Sequence, residues 1–234
     1  MLNNVAWCDA VCRARGTAGR TTQYLWVNEH PTPPYYPNII TLQPSSAALR
    51  GELGDAIDRV RAMVGDSVSI KDSFADVDLN AHGLRVLFEA QWVAWPSSLP
   101  AADARIAGVE WSLVRTEPGL DEWKRAWDAE ILSVDPVFAP DLLRSTDIAF
   151  IAAHRDGELV GGAIANASAG IVGLSNVFAP AHRNDDFRAG CAAVAMTWAP
   201  GLPLVGYETG AELDSCITAG LTTLGPLRVW VSAD

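Results

Sequence analysis

Basic residues are scarce in this 234-residue chain: 17 Lys+Arg stand against 28 Asp+Glu, a formal net charge of −11. The lack of excess cations to displace counterions argues against a general nucleic-acid or anionic-membrane binder. There is no run of 18 uncharged apolar residues, so no membrane-spanning helix is expected. The first residues, Met1-Leu2-Asn3-Asn4-Val5-Ala6-Trp7, have neither a basic start nor a long apolar stretch, so no signal peptide and a cytoplasmic location are expected. Four cysteines are too few for a disulfide scaffold. Cys8 and Cys12 would share one face of a helix, but the four histidines lack ligand spacing; buried reduced thiols are the plainer reading than a metal site. No Gly-x-Ser-x-Gly run is present to support a hydrolase of that kind. With 49% hydrophobic and 19% charged residues, the chain has ample material for a folded core.

Residues 21–28 are rich in β-branched and aromatic types and predict a strand. The proline-rich segment from His30 to Asn38 predicts an ordered loop or arm, whose Tyr35-Tyr36 pair suggests the interface of a homodimer. Leu49, Leu53, Ile57, Val60 and Val64 predict a helix with one buried face, and Asp55 and Arg59 an i,i+4 pair on its exposed side. Val68 to Phe74 reads as a strand, and Leu84 to Trp95 as a strand buried on both faces. Residues 96–104 are the best linker candidate. Leu120, Trp123, Trp127 and Ile131 mark a further helix; its tryptophans at helical spacing read as core before they read as a ligand-stacking platform.

The clearest section runs from 147 to 178. Asp156-Gly157 and Ala169-Gly170 are turn signals between three apolar runs, predicting an antiparallel meander. A helix (Ala189 to Trp198), a strand (204–207), a short helix (Ala211 to Ala219) and a last strand (227–231) follow.

That order resembles the GCN5-related N-acetyltransferase (GNAT) fold. The runs that carry the resemblance are Phe150 to Gly162, similar to that family's second and third strands, Leu174 to Arg183, similar to its fourth strand and the start of the cofactor loop, and Ala219-Gly220-Leu221 with Leu224-Gly225-Pro226 before the last strand. In the first half, Gly83-Leu84 with Leu87 matches Gly220-Leu221 with Leu224 without a gap. The implied class is α+β, a mixed sheet flanked by helices, in two pseudo-repeated lobes: a truncated one over 1–100 and a second over 105–234.

The resemblance implies an acyl-CoA cofactor, acetyl-CoA or a longer thioester, and direct transfer to a small amine acceptor. Its cofactor-binding residues would be Val177, Phe178 and Ala179 on the fourth strand, then Arg183, Asn184, Phe187 and Arg188. The usual loop pattern, Arg/Gln-x-x-Gly-x-Gly/Ala, brings backbone N–H groups to a diphosphate. Here Asp186 stands at the glycine position and Arg188 at the last small one. Asp185 and Asp186 cancel the charge of the two arginines, and each acid about 6 Å from a phosphate would oppose it by roughly 2 to 3 kcal/mol at an effective dielectric near 20. The catalytic candidates are Glu208, as base or as a plain strand-end acid, and Asn176, which either orients a substrate or satisfies a bulge. His182 is a phosphate contact or a turn residue. No tyrosine stands on the helix after Glu208 to act as general acid, and Tyr207 should face away from Glu208. Two functions follow: an N-acetyltransferase, or a non-catalytic GNAT-like binding module with a degenerate cofactor site.

Overall fold

The computed structural model describes residues 1–95, 106–128, 137–180 and 184–233; the linker candidate 96–104, Ile131, His182 and Arg183 lie outside them. In chain order the elements are α1 (Leu2–Ala14), β1 (Arg20–Thr21), β2 (Leu25–Val27), β3 (Ile39–Thr41), α2 (Ala47–Val64), β4 (Ser69–Asp72), β5 (Leu84–Ala94), β6 (Glu110–Leu113), α3 (Glu117–Trp127), β7 (Ile148–Arg155), β8 (Glu158–Ser168), β9 (Ile171–Phe178), α4 (Asn184–Trp198), β10 (Leu204–Glu208), α5 (Gly210–Thr218) and β11 (Thr222–Ser232).

The described strands form one mixed sheet in the order β1-β2-β3-β4-β11-β5-β10-β9-β8-β7-β6. Apart from the extra edge strand β6, that order is a palindrome about its β11–β5 centre. β3 runs parallel to β4 as β9 runs parallel to β10. β4 is flanked by β11 from the other half, and β10 by β5, both antiparallel. Each half thus lends its last strand to the other. The echo read at Gly83 and Gly220 falls at the start of these two exchanged strands, and both glycines have positive φ (66° and 89°), a conformation that glycine adopts without a Cβ clash.

The meander β7-β8-β9 forms as its turn residues dictate. Asp156 and Gly157 both have positive φ, as do Ala169 and Gly170, the condition for a two-residue turn that matches strand twist. Alternate residues then serve opposite cores. Phe150, Ala152 and Ile164 meet α1 and α3, whereas Ala149, Ile151, Ala163 and Ala165 meet α4 and α5. Trp123 is fully buried and its indole N–H donates to the Ile151 carbonyl at 2.8 Å, so the α3 tryptophan is core. Helix α2 is capped by Ser46, whose side chain accepts from the Leu49 N–H, and buries Leu49, Leu53, Ile57 and Val60. That capping removes one otherwise unpaired donor.

Several expectations need correction. Residues 21–28 are two strands, because the Thr22 hydroxyl accepts from the Tyr24 and Leu25 N–H groups and turns the chain. Arg59 pairs with Glu29 at 3.0 Å in place of Asp55. β5 is not buried on both faces: β10 ends opposite Gln91, so Val86 and Leu87, beyond that point, are 39% and 52% exposed. Helix α4 begins at Asn184 rather than Ala189, which turns most of the expected loop into helix. The four cysteines are buried and free.

Candidate active site

The parallel ladder between β9 and β10 closes only at Val172–Leu204 and Gly173–Val205. Beyond those pairs β9 stays with β8 and β10 stays with β5, and the two strands part. In β9 the register slips between Ser175 and Phe178, leaving Asn176 and Val177 outside the ladder, with Asn176 at φ 53°. This is a β-bulge, and Asn tolerates its left-handed conformation. A cavity of about 350 Å³ occupies the opening, bordered by Ser175, Asn176 and Val177 of β9 and by Tyr207 and Glu208 of β10.

Tyr207 and Glu208 do project to opposite sides of the sheet, as the pleat requires, yet both border the cavity. The cavity lies where the sheet is open, so it meets both faces. On the α1 face, Asn4, Trp7 and Cys8 join Tyr36 and Lys71. Helix α1 is fixed there by reciprocal bonds: the Asn3 amide donates to the Asn166 carbonyl at 2.9 Å and the Asn166 amide to the Asn3 carbonyl at 3.1 Å. The Tyr35-Tyr36 segment is not a free arm: Tyr36 is buried and both tyrosines line the cavity.

On the opposite face Arg188 of α4 is the hub. It is bonded to Glu212 of α5, lies 3.3 Å from Asp185 and 3.4 Å from Glu208, and is only 9% exposed at its side chain. The Glu208 contact is an ion pair without hydrogen-bond geometry, since the Arg188 Nε makes no hydrogen bond. Burial raises the Glu208 pKa; Arg188 works against this shift and Glu212 adds to it. Burial also opposes the Arg188 charge, but Glu212 and Glu208 outweigh it and the guanidinium pKa rises. Arg188 separates the cavity from an apolar groove of about 240 Å³ between α4 and α5, lined by Ala189, Ala192, Ala193, Met196 and Cys216 among others.

The residues named from sequence divide accordingly. Glu208, Asn176, Val177 and Arg188 come together at the cavity. The Phe178 ring instead packs edge-on against Trp123 (5.1 Å between centroids), and Phe187 is fully buried against Trp111; neither ring reaches the cavity. Ala179 follows the end of β9, and Asn184 opens α4. Gly190 serves packing, since a Cβ there would lie 2.1 Å from Trp111. Lys71, Asn4, Trp7, Tyr36 and Glu212 were not anticipated. A lysine in the middle of a short expected strand was the available signal for Lys71.

The fit to an acyl-CoA is divided. The parted strands with their bulge and the apolar groove suit a thioester and its slender arm. The diphosphate fits poorly among the described residues: Asp185 and Asp186 occupy the first turn of α4, where the helix dipole would favour an anion, and Arg188 is committed to carboxylates.

No family model and no curated protein sequence matches this chain. Solved structures do. A GCN5-related N-acetyltransferase from Kribbella flavida is 14% identical at a TM-score of 0.66, covering 99% of this chain and 95% of that one. A conserved protein of unknown function from Staphylococcus epidermidis is 11% identical at 0.65, covering 91% and 92%. A tandem GNAT protein from the clavulanic acid biosynthesis pathway is 12% identical at 0.58, covering 89% and 78%. The chain has the GNAT fold, an α+β mixed sheet flanked by helices.

Proposed function

We propose that this chain is an N-acyltransferase, passing an acyl group from acetyl-CoA or another acyl-CoA directly to the amine of a small acceptor. The observation that carries the proposal is the parting of β9 from β10 around a cavity that Glu208, a carboxylate with a raised pKa, borders. When bound, the thioester supplies an acyl carbon open to attack. Everything else falls to the chain's own residues.

Glu208 takes the ammonium proton of the acceptor: among the described residues its ionic partner is the Arg188 guanidinium at 3.4 Å, and a raised pKa moves a carboxylate toward the strength a base needs near neutral pH. Val177, which the bulge leaves out of the ladder, and the Phe178 backbone would hold the acyl oxygen. The backbone N–H groups that helix geometry leaves unpaired at the start of α4 are those of Asn184, Asp185 and Asp186, and these would face a ligand there in place of Phe187 and Arg188. Tyr207 is a phenol bordering the cavity, where a tyrosine on α5 is lacking. The test is release of free thiol from acetyl-CoA in the presence of a panel of small amines: acceptor-dependent release is expected, and its absence with every amine contradicts the proposal.

A specific observation favours the second reading, a binding module without catalysis. Arg188, the one described cation at the first turns of α4, is tied to Asp185 and Glu212. A protein of that kind would bind the acceptor and leave acetyl-CoA intact.

A further inference from the structure

The cavity has a second chemical end that proton abstraction does not use. On the α1 face Lys71 is 4% exposed. Its ammonium donates to Asn4 Oδ1 at 2.9 Å, lies 3.4 Å from the Tyr207 hydroxyl and sits 4.5 Å from the Tyr207 ring centre. No carboxylate among the described residues pairs with it. A buried cation without an anion is costly, and a neutral amide and a phenol repay only part of its lost hydration.

The groups beside it are short of partners in the same sense. The Tyr36 hydroxyl is buried and makes no hydrogen bond of acceptable geometry; burial holds its pKa well above the usual phenol range against the opposing Trp7 indole, so it keeps its proton to donate. The Ser175 hydroxyl is also buried without a partner. The Cys8 thiol, pushed up to about 11 by burial, stays neutral. Lys71, Tyr36 and Ser175 therefore border the cavity from the α1 side, bringing one ammonium and two buried hydroxyls that make no hydrogen bond, while Glu208 borders it from the other side of the sheet.

We infer that this end receives the carboxylate of the acceptor, so that the substrate class is a small amino acid: carboxylate at Lys71, Tyr36 and Ser175, amine toward Glu208. The one side-chain cation that borders the cavity on this face matches a monoanion better than a phosphate dianion. A cavity of about 350 Å³ suits a free small molecule. The amine's fate rests on the acyl-transfer reading; carboxylate binding does not.

The experiment is calorimetric titration of the intact chain, without acyl-CoA, using amino acids of increasing amine-to-carboxylate spacing, the same amines lacking the carboxylate, and the methyl esters. At least one amino acid should bind, with its amine and ester weaker by about tenfold or more, the contribution expected of a charge-assisted hydrogen bond. Lys71→Met should erase that preference and Lys71→Arg should keep part of it; Tyr36→Phe and Ser175→Ala should each reduce it even if the Lys71 variants fail to fold. Equal binding of amino acid, amine and ester to the wild-type chain overturns the inference, as does no binding by any amino acid or by inorganic phosphate binding better than all of them. Amino-acid binding without thiol release would sink only the acyl-transfer reading. Thiol release with amines irrespective of a carboxylate would sink only this one.

Discussion

Glu208 shows at the scale of one residue what the sequence reveals and what it withholds. Its place at the end of the strand beside the cleft is legible from the order of elements. Its chemistry is not, because the partners that set it, Arg188 and Glu212, arrive from the helices before and after its strand. With its pKa raised in the folded chain, Glu208 becomes a base only as the pH climbs through that raised value. The acyl-transfer rate should therefore show an acid limb with a midpoint above the ordinary glutamate value of about 4.3, and Glu208→Gln should remove both rate and limb. The stability consequence has the opposite sign. A raised carboxylate pKa means that the native state holds the proton more tightly, so this contribution is fully present below the unfolded-state pKa and is lost as pH rises through the folded one. Melting temperatures should accordingly favour the Gln variant increasingly from acid to neutral pH. An acid limb that survives in Glu208→Gln contradicts the assignment of the base.

At the scale of an element, β9 was readable as the third strand of the meander, and Asn176 as a residue suited to a bulge. The bulge itself was not, since it depends on the register of Ile164 against Ser175 and of Gly162 against Phe178. Two roles remained open for Asn176, and substitution separates them. Asn176→Gly keeps a positive-φ position at ease and should leave stability within about 1 kcal/mol, whereas Asn176→Val should cost roughly 1 to 2 kcal/mol. Retained acyl transfer in the glycine variant makes Asn176 a bulge residue; a lost rate with stability intact gives its amide a part in substrate orientation. Helix α4 teaches a different lesson. The run from Asn184 to Arg188 matches a loop pattern only in part; its two acids suit the first turn of a helix, where the dipole favours them, so the helix starts five residues early and aims Arg188 at Glu208 and Glu212. Helix α1 left a weak pattern in the sequence because it is buried through Asn3 as well as through Val5, Trp7, Cys8 and Val11.

The scale of the whole molecule was the least legible. A three-position echo between Gly83-Leu84 and Gly220-Leu221 hinted at duplication, but no local pattern encodes that β5 and β11 trade places. Pairing partners more than a hundred residues apart, such as Phe88 with Val229, are set by the assembled sheet. The two-lobe division of 1–100 and 105–234 therefore carries a particular expectation. Neither half expressed alone should give a stable monomer, because β4 would lose β11 and β10 would lose β5. The two halves co-expressed should associate and recover the melting temperature of the intact chain to within a few degrees. Independent folding of either half with a cooperative transition would contradict the exchanged arrangement as a requirement for stability.

The cleft between β9 and β10 is tested most directly by the melting temperature of the chain titrated with acetyl-CoA. A ligand that binds the native state stabilises it by mass action, by about 2.7 kcal/mol at one hundred times its dissociation constant. A saturable rise of several degrees below millimolar acetyl-CoA is expected, larger than that given by equal ATP, which carries phosphates without the thioester arm. An unchanged melting temperature at millimolar acetyl-CoA, or the same rise with ATP, contradicts the reading of this opening as the seat of an acyl thioester.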